Sequence, residues 1–331
     1  MSRIYEALQK AESERKLERR ESEPRLEDHP VSAVMGAAAA VAEPEEGISE
    51  PIFAEPNFAD PNFASAAFTE TYREPYTPRT GGESLDLSKI PARPWALSLV
   101  QLPALLERGP AVEQFRSLRS RIFELRDISA LKTILVSSGL PQEGKSFIST
   151  NLALSLARHK NSKVLLIDGD MRRYTLHQIL GCESHPGLAD YLAGKAGVLD
   201  VMQRPEPLQM ATSGATPVLP NLTFIAGGNG GDKAADLSGS PRFGELIRTA
   251  APHFVWIIVD SSPVLPVSDA VNLARWCDGV LLVARGGVTK FPIAQRAQSE
   301  LKASKVLGFV LNAVQEPPEV GSYYGYDATK R

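Results

Sequence analysis

A single short stretch, residues 136–150, constrains this chain more than any other part of its sequence. It reads VSSGLPQEGKSFIST, in which two glycines are followed by Lys145 and Ser146 in the spacing G-x-x-x-x-G-K-S. This spacing is typical of a phosphate-binding loop in nucleotide triphosphatases. The preceding residues 132–137 predict a short buried β-strand, and residues 145–159 carry apolar side chains at the 3.6-residue period of a helix. The strand, the loop and the helix therefore occur in the order that such a loop requires.

The residue types in this loop suit a polyanionic ligand. Gly139 and Gly144 have no Cβ and let the backbone turn closely around phosphate oxygens, to which the first amides of the following helix also point. Lys145 supplies a positive charge for the β- and γ-phosphates, and Ser146 supplies a hydroxyl ligand for Mg²⁺. The sequence therefore predicts a site for ATP and Mg²⁺. The residues expected to line it are Gly139, Pro141, Gln142, Glu143, Gly144, Lys145, Ser146 and Phe147.

Further apolar runs predict the other strands of a sheet. Both faces of each run are apolar, as expected of strands that helices cover on both faces. The runs occupy residues 163–167, 222–226, 254–259, 280–284 and 306–310. Helical patterns occupy residues 110–126, 187–193, 241–250, 268–276 and 292–303. This alternation predicts an α/β fold with a doubly wound, mostly parallel sheet that binds ligands at the carboxyl ends of its strands.

Three aspartates directly follow predicted strands. Asp168 and Asp170 follow the run at 163–167, and Asp260 follows the run at 254–259. Because the carboxyl ends of parallel strands meet at one edge, we expect all three beside the phosphate loop. Magnesium prefers oxygen ligands, and a phosphoryl acceptor needs a carboxylate to take or orient its proton. We predict that Asp260 belongs to the metal's water shell and that Asp168 and Asp170 contact the metal and activate the acceptor; the alternative is that they cap helices.

Composition limits the classes of function. A chain of 331 residues with 43% hydrophobic content can bury one substantial core and still carry extensions. The net charge of −3 gives no electrostatic case for binding nucleic acid. Cys182 and Cys277 have no metal-like spacing and suit a reducing compartment. No apolar run reaches the roughly 18 residues of a membrane-spanning helix. We therefore expect a cytoplasmic protein.

The predicted phosphate-binding domain, residues 93–315, is flanked by segments of different composition. Residues 1–20 predict an amphipathic helix with a thin apolar stripe, which is either a docking handle for a partner or a frayed terminus. Residues 21–92 are rich in Pro, Ala and Glu and predict a disordered linker. Its three five-residue (Glu/Asp)-Pro-x-Phe-Ala repeats form either a weakly adhesive spacer or a recognition array. Residues 316–331 predict a flexible tail.

Glu113, Arg116 and Arg119 recur every three residues along the predicted helix at 110–126. Side chains three positions apart on a helix are neighbours, so the pattern predicts exposed ion pairs worth a few tenths of a kcal/mol each. A charge lattice between subunits is the alternative, which spacing alone does not decide.

The predicted tail is unusually rich in tyrosine. It holds three of the chain's eight tyrosines, Tyr323, Tyr324 and Tyr326, although aromatic residues are scarce in disordered segments. A mobile tail suits a substrate whose hydroxyl must align with the γ-phosphate held by another subunit. The alternative is a tail that packs its aromatic rings on the domain.

The motifs GLPQEGKS, LLIDGDMRR and IIVDSSP, together with E-x-x-R-x-x-R and the terminal tyrosines, resemble those of the bacterial tyrosine autokinases (BY-kinases). Within that family the sequence is most similar to the soluble autokinases of exopolysaccharide gene clusters, including the exosortase-associated group, whose N-termini resemble residues 1–20. The resemblance extends over residues 90–331 and implies a P-loop NTPase fold of the MinD/ParA-like (SIMIBI) type. Leu140, however, stands where the MinD and ParA branch itself carries a signature lysine.

The resemblance also implies roles for the matching residues. Lys145 and Ser146 would contact phosphate and Mg²⁺, Asp168 and Asp170 would be the Walker A-prime acids, and Asp260 would be the Walker B acid. The motif residues Glu113, Arg116 and Arg119 would hold a ring of unphosphorylated subunits in which one protomer's tail enters its neighbour's site. Asn312 would contact the adenine.

The implied function is that of an ATP-dependent protein-tyrosine autokinase. It would phosphorylate its C-terminal tyrosines in trans and regulate exopolysaccharide polymerisation and export. The implied partners are a transmembrane chain-length regulator of the export system, which would hold the chain at the inner membrane, and a tyrosine phosphatase. The alternative is a nucleotide-switched ATPase scaffold that recruits partners without phosphorylating tyrosine.

The chain departs from the family pattern in three places. Ser261 and Ser262 replace the common Thr-Pro pair, and Tyr174 replaces a frequent proline. The glycine-rich loop at 227–232 stands where the family usually has a Pro-Asn-Pro pattern, which leaves the role of this loop open.

Overall fold

The structure, a computed structural model, describes residues 85–206, 219 and 221–314. The predicted N-terminal helix at 1–20, the linker as far as residue 84 and the tyrosine tail at 316–331 lie outside the described residues. Within the described part, no helix is both long and apolar enough to cross a membrane.

The described residues form one eight-stranded sheet in the order β1-β4-β5-β3-β6-β2-β7-β8. All neighbouring strands run parallel except β4 and β5, which are antiparallel. The strands are β1 Ala92–Arg93, β2 Thr133–Ser138, β3 Val164–Asp168, β4 Met202–Pro205, β5 Leu222–Ile225, β6 Trp256–Asp260, β7 Gly279–Arg285 and β8 Val306–Asn312. The predicted doubly wound, mostly parallel sheet is thus confirmed.

The α-helices of the described part connect these strands. They are α1 Pro110–Ile128, α2 Lys145–Ala157, α3 Leu176–Leu180, α4 Leu188–Leu192, α5 Val198–Val201, α6 Ala234–Ser238, α7 Pro241–Ala250, α8 Asp269–Ala274 and α9 Phe291–Glu300. Short 3₁₀ turns occupy Leu87–Lys89, Pro103–Leu105 and Gly231–Lys233. The ends of the predicted strands and helices lie within three residues of the ends of the matching elements.

The apolar cores lie on the two faces of the sheet, and alternate side chains of each central strand supply them. Leu135, Ile257 and Val259 pack into the core under α4, α7, α8 and α9. Ile134 and Ile258 pack into the opposite core under α1 and α2. Every residue of β2, β3, β5 and β6 is buried. Both faces of the central strands are therefore covered, which is why their sequences show no polar side.

Two features of the fold differ from the sequence expectations. The antiparallel strand β4 has no apolar run that predicts it, because it is four residues long and only its first two residues are buried. Residues at the end of the predicted linker belong to the folded part: Leu85 and Ile90 are buried, and β1 pairs with β4. The described part of the chain thus includes buried residues that precede residue 93, where the predicted domain begins.

The sheet brings the functional segments to one edge. Val136 of β2 and Asp168 of β3 both pair with Asp260 of β6, the strand that lies between them. The loop after β2 and the acids that end β3 and β6 therefore lie side by side at the carboxyl ends of these strands, as the sequence predicts.

Candidate phosphate and metal site

The loop between β2 and α2 has the conformation that a phosphate-binding loop needs. Gln142 and Gly144 have positive φ values of 64° and 94°, a region that suits glycine because it has no Cβ. Gly144 caps the N-terminus of α2, which begins at Lys145. The free amides of this first helical turn and its positive dipole end are a ready site for phosphate oxygens.

Other predicted lining residues surround the same loop. Pro141 and Gln142 are exposed, whereas the Glu143 side chain is buried. Gly139 lies against α9, where an added Cβ would be 3.2 Å from Ile293 Cγ2. Phe147 is half-buried, with its ring centroid 5.7 Å from that of Phe115.

Asn312, at the end of β8, packs directly on this loop. Its Nδ2 donates a hydrogen bond to the Glu143 carbonyl at 3.0 Å. The same nitrogen lies 1.9 Å from the position of an ideal Cβ on Gly144. The close approach thus requires glycine at this position, and the predicted adenine contact of Asn312 stays a prediction.

We expect Gly144→Ala to abolish tight nucleotide binding. The added Cβ would displace Asn312, and a left-handed conformation costs an L-residue about 1–2 kcal/mol. Gly194→Ala is the matched control, because Gly194 also has a positive φ (75°) but has no atom within 4 Å of an added Cβ. Both variants should lose stability in thermal melts, Gly144→Ala more because of its clash with Asn312, and only Gly144→Ala should lose binding of a fluorescent nucleotide. Equal nucleotide affinity of the two variants would contradict this prediction.

Lys145 and Asp170 form a buried ion pair at the mouth of the loop. Lys145 Nζ lies 3.1 Å from Asp170 Oδ2, and the two side chains are 14% and 3% exposed. Burial lowers the pKa of Lys145, but the carboxylates of Asp260 and Asp170 outweigh it, so the pKa of Lys145 is raised. The second carboxylate oxygen of Asp170 accepts the Arg173 N–H at 3.0 Å. The lysine is therefore held charged at the place where phosphate would lie.

Ser146 and Asp260 make the second polar contact of the site. Ser146 Oγ donates to Asp260 Oδ2 at 2.7 Å. Asp260 Oδ1 is buried and has no hydrogen-bond partner. Burial raises the pKa of Asp260 to about 6, against the opposing effects of Lys145 and Ser146. A buried carboxylate oxygen with no donor is the sort of group that a metal-bound water satisfies.

The Asp168 carboxyl group is shielded from solvent and bonded to the backbone. It is fully buried, and its two oxygens accept the backbone N–H groups of Asp170 at 3.2 Å and Leu176 at 3.1 Å. Burial and the nearby Asp260 raise the pKa of Asp168 well above its ordinary value. The side chain therefore organises the turn between β3 and α3, and its raised pKa favours the uncharged carboxyl group beside Asp260.

The three residues of the E-x-x-R-x-x-R pattern do not share one environment. Glu113 and Arg116 form a partly exposed ion pair at 2.5 Å, as i,i+3 spacing predicts. Arg119 instead donates to the Ser155 carbonyl at the end of α2 at 2.9 Å. Burial, together with Arg116 and Arg158, lowers the pKa of Arg119. Within this chain the pattern thus leaves Glu113 and Arg116 partly exposed and ties Arg119 to the end of α2.

The structure also brings in residues that the sequence analysis did not assign to the site. Thr289, in the turn after β7, is buried and donates its hydroxyl to Glu143 Oε1. The glycine-rich loop lies against the acids: an added Cβ on Gly227 would be 2.6 Å from Tyr174 Cβ and 3.3 Å from Asp168 Cγ. No sequence motif marks Thr289, whereas the run of glycines signals close backbone packing.

Comparisons with known proteins agree on the type of domain. No family model matches the chain. It is 33% identical over 222 residues to "Tyrosine-protein kinase YwqD" of Bacillus subtilis, which covers 66% of this chain and 86% of that protein. It is 34% identical over 221 residues to "Putative tyrosine-protein kinase EpsB" of Ralstonia nicotianae, covering 66% of this chain and 27% of the relative. The chain spans only 22% to 28% of the length of the first curated relatives.

Two solved structures share the fold over about two thirds of this chain. The kinase domain of the Escherichia coli tyrosine kinase ETK matches with a TM-score of 0.58 and 27% identity, over 66% of this chain and 81% of that chain. The chimerical protein CapA2B2 matches with a TM-score of 0.59 and 26% identity, over 69% of this chain and 96% of that chain.

Proposed function

Because this chain belongs to the family of bacterial tyrosine-protein kinases, we propose that it transfers the γ-phosphate of ATP to tyrosine hydroxyls at the site described above. One observation carries the proposal. Lys145, Ser146, Asp170 and Asp260 come from three segments of the chain, yet they form two direct polar contacts at one strand edge, Lys145–Asp170 at 3.1 Å and Ser146–Asp260 at 2.7 Å. These are the side chains that phosphoryl transfer needs beside a phosphate-binding loop.

The charges of the site fit a divalent cation. Asp168, Asp170 and Asp260 are buried together with one ammonium group, that of Lys145. Further negative charge from a triphosphate would be repelled unless a cation accompanied it. Asp260 Oδ1 lacks a partner, and Mg²⁺ binds proteins through one or two carboxylates together with waters and substrate phosphates. Ser146 and Asp260 would hold it, with the buried Asp168 behind them.

Each side chain has a defined task in the transfer. Mg²⁺, when bound, would neutralise charge on the β- and γ-phosphates. The loop amides and Lys145 would hold the phosphates in line with the acceptor. When the phosphates take Lys145 as their partner, Asp170 Oδ2 becomes free to accept the tyrosine proton. The tyrosine oxygen then bonds to the γ-phosphorus, the bond from the γ-phosphorus to the bridging oxygen breaks, and ADP leaves with that electron pair.

We assign the acceptor role to Tyr323, Tyr324 and Tyr326. They follow Asn312, whose amide contacts the phosphate loop, by only 11 to 14 positions of sequence. Each phosphate adds about −1.5 to −2 charges. Several phosphates would oppose an acidic site and a ring held by Glu113 and Arg116, and so act as a switch.

The proposed setting is the cytoplasmic face of the inner membrane. There a transmembrane chain-length regulator would activate the kinase, a tyrosine phosphatase would reset it, and the cycle would control exopolysaccharide polymerisation and export. These partners follow from the resemblance of the motifs to those of the soluble exopolysaccharide autokinases.

The test is to incubate the full chain with ATP and Mg²⁺ and to map phosphotyrosine by mass spectrometry. We expect label on the tail tyrosines and its loss when Tyr323, Tyr324 and Tyr326 are all replaced by Phe. Tyr191→Phe, which changes a buried tyrosine of the domain, is the matched control and should label as the wild type does. Undiminished label in the triple variant would rule out the assigned acceptors. Nucleotide binding without any phosphotyrosine would favour the ATPase scaffold instead.

A further inference from the structure

Thr289 lies in the turn between β7 and α9 and belongs to none of the sequence motifs of the site. It is 9% exposed. Its Oγ1 accepts the Arg285 N–H at 2.8 Å and donates to Glu143 Oε1. A threonine hydroxyl has a single proton. Because the Arg285 amide occupies an acceptor position, the direction of the hydroxyl is set, and its proton points to Glu143.

The Glu143 side chain of the phosphate loop turns into the protein. It is 4% exposed, although its neighbours Pro141 and Gln142 are exposed. Its Oε2 accepts the Leu140 N–H at 2.8 Å, and its carbonyl oxygen accepts the Asn312 amide at 3.0 Å. Both carboxyl oxygens and the carbonyl oxygen are therefore bonded, each to a different segment.

We propose that Thr289 is a positioning residue for nucleotide binding, and that it acts by holding the Glu143 carboxyl group inside the protein. The proposal rests on the function proposed above only in that the loop binds a nucleotide. Two physical effects carry it. The first is preorganisation, since the Glu143 bonds hold the loop in the positive-φ conformation that directs its amides toward phosphate. The second is charge: a released Glu143 carboxylate would turn toward solvent beside the triphosphate and repel it.

Removing the Thr289 hydroxyl should release this side chain. Thr289→Val keeps the shape but leaves Glu143 Oε1 without a donor, and an unsatisfied buried polar group is strongly disfavoured. The carboxyl group would regain partners by moving to water, which the exposed loop permits. The expected loss is thus in affinity for nucleotide, while the catalytic groups on β3, β6 and α2 keep their places.

The experiment compares Thr289→Val with Thr289→Ser in the full chain, with a fluorescent ADP analogue and Mg²⁺ as the probe. We expect the valine variant to bind about tenfold more weakly, which equals about 1.4 kcal/mol, and the serine variant to bind within about twofold of the wild type, because it keeps the hydroxyl. With ATP as substrate, the valine variant should show a raised KM and a kcat close to wild type. A merely structural role would instead lower the thermal midpoint and kcat together.

A second variant tests the charge effect. Glu143→Gln combined with Thr289→Val should recover part of the lost affinity, because the released side chain no longer carries charge. Wild-type affinity in Thr289→Val, or an equal loss in the valine and serine variants, would overturn the proposal. Nucleotide binding is measured here without tyrosine transfer, so a chain that binds the probe but forms no phosphotyrosine would refute the kinase assignment and leave the role of Thr289 open to the same test.

Discussion

Lys145→Met should lower the rate of tyrosine phosphorylation by about 10²–10³-fold, the range found when one preorganised donor to a transition-state charge is removed. Lys145 is the only cation in direct contact with the buried acids of the site in the described part of the chain. Methionine has a similar length and no charge, so it cannot balance the phosphate oxygens. The measurement is the initial rate of phosphotyrosine formation at saturating ATP and Mg²⁺.

Two further variants separate chemistry from folding in this experiment. Lys145→Arg keeps a positive charge beside Asp170 and should preserve the thermal midpoint, yet it should also lose activity because a planar guanidinium does not replace a compact ammonium. Lys132→Met is the matched control: this half-buried lysine donates to the Ala251 carbonyl at 2.6 Å, at the opposite edge of the sheet. Normal phosphorylation by Lys145→Met would contradict the assigned site.

Asp260→Asn should change activity and stability in opposite directions. It should lower the phosphorylation rate by about 10²-fold or more, because it removes the carboxylate that we assign to the metal. In the nucleotide-free protein it should raise the thermal midpoint at pH 7.5. Burial raises the pKa of Asp260 to about 6 from 3.8, so keeping this group ionised at neutral pH costs on the order of 1–3 kcal/mol. Asparagine removes that cost and still accepts the Ser146 hydroxyl.

The change of folding stability with pH has a direction that an experiment can check. Between about pH 4 and pH 6 the folded Asp260 binds its proton more tightly than the unfolded one, so wild-type stability should fall as the pH rises through this window. The advantage of Asp260→Asn should therefore be complete above about pH 6 and vanish below about pH 4. Thermal melts across this range, without nucleotide or Mg²⁺, measure it.

Asp278→Asn provides the comparison for this test. The Asp278 carboxylate accepts the backbone amides of Lys132 and Thr133, at 2.9 Å and 2.8 Å, at the other end of the strands. We expect no stabilisation from that variant and normal activity. A midpoint for Asp260→Asn that is unchanged, lower, or higher by the same amount at every pH would show that burial of this carboxylate does not carry the predicted cost.

Local sequence patterns predicted the parts of this protein that are determined by residues close together in the chain and by where the strands end. The phosphate loop, the helix that begins at Lys145 and the apolar central strands follow from residues close together in the chain. The aspartates could be placed as well, because the carboxyl ends of parallel strands meet at one edge, and Asp168 indeed pairs with Asp260 across that edge. The roles of these side chains in catalysis remain predictions.

The tertiary structure decided how those residues are held. The bond from Thr289 to Glu143 spans 146 positions of sequence, and the contact of Asn312 with Glu143 spans 169. Arg119 faces the end of α2 rather than solvent because the Ser155 carbonyl lies within its reach. Spacing within one helix or loop carries no information about such partners. They exist only once the sheet has brought β7, β8 and the phosphate loop together, and burial then requires each polar group to find a donor or acceptor.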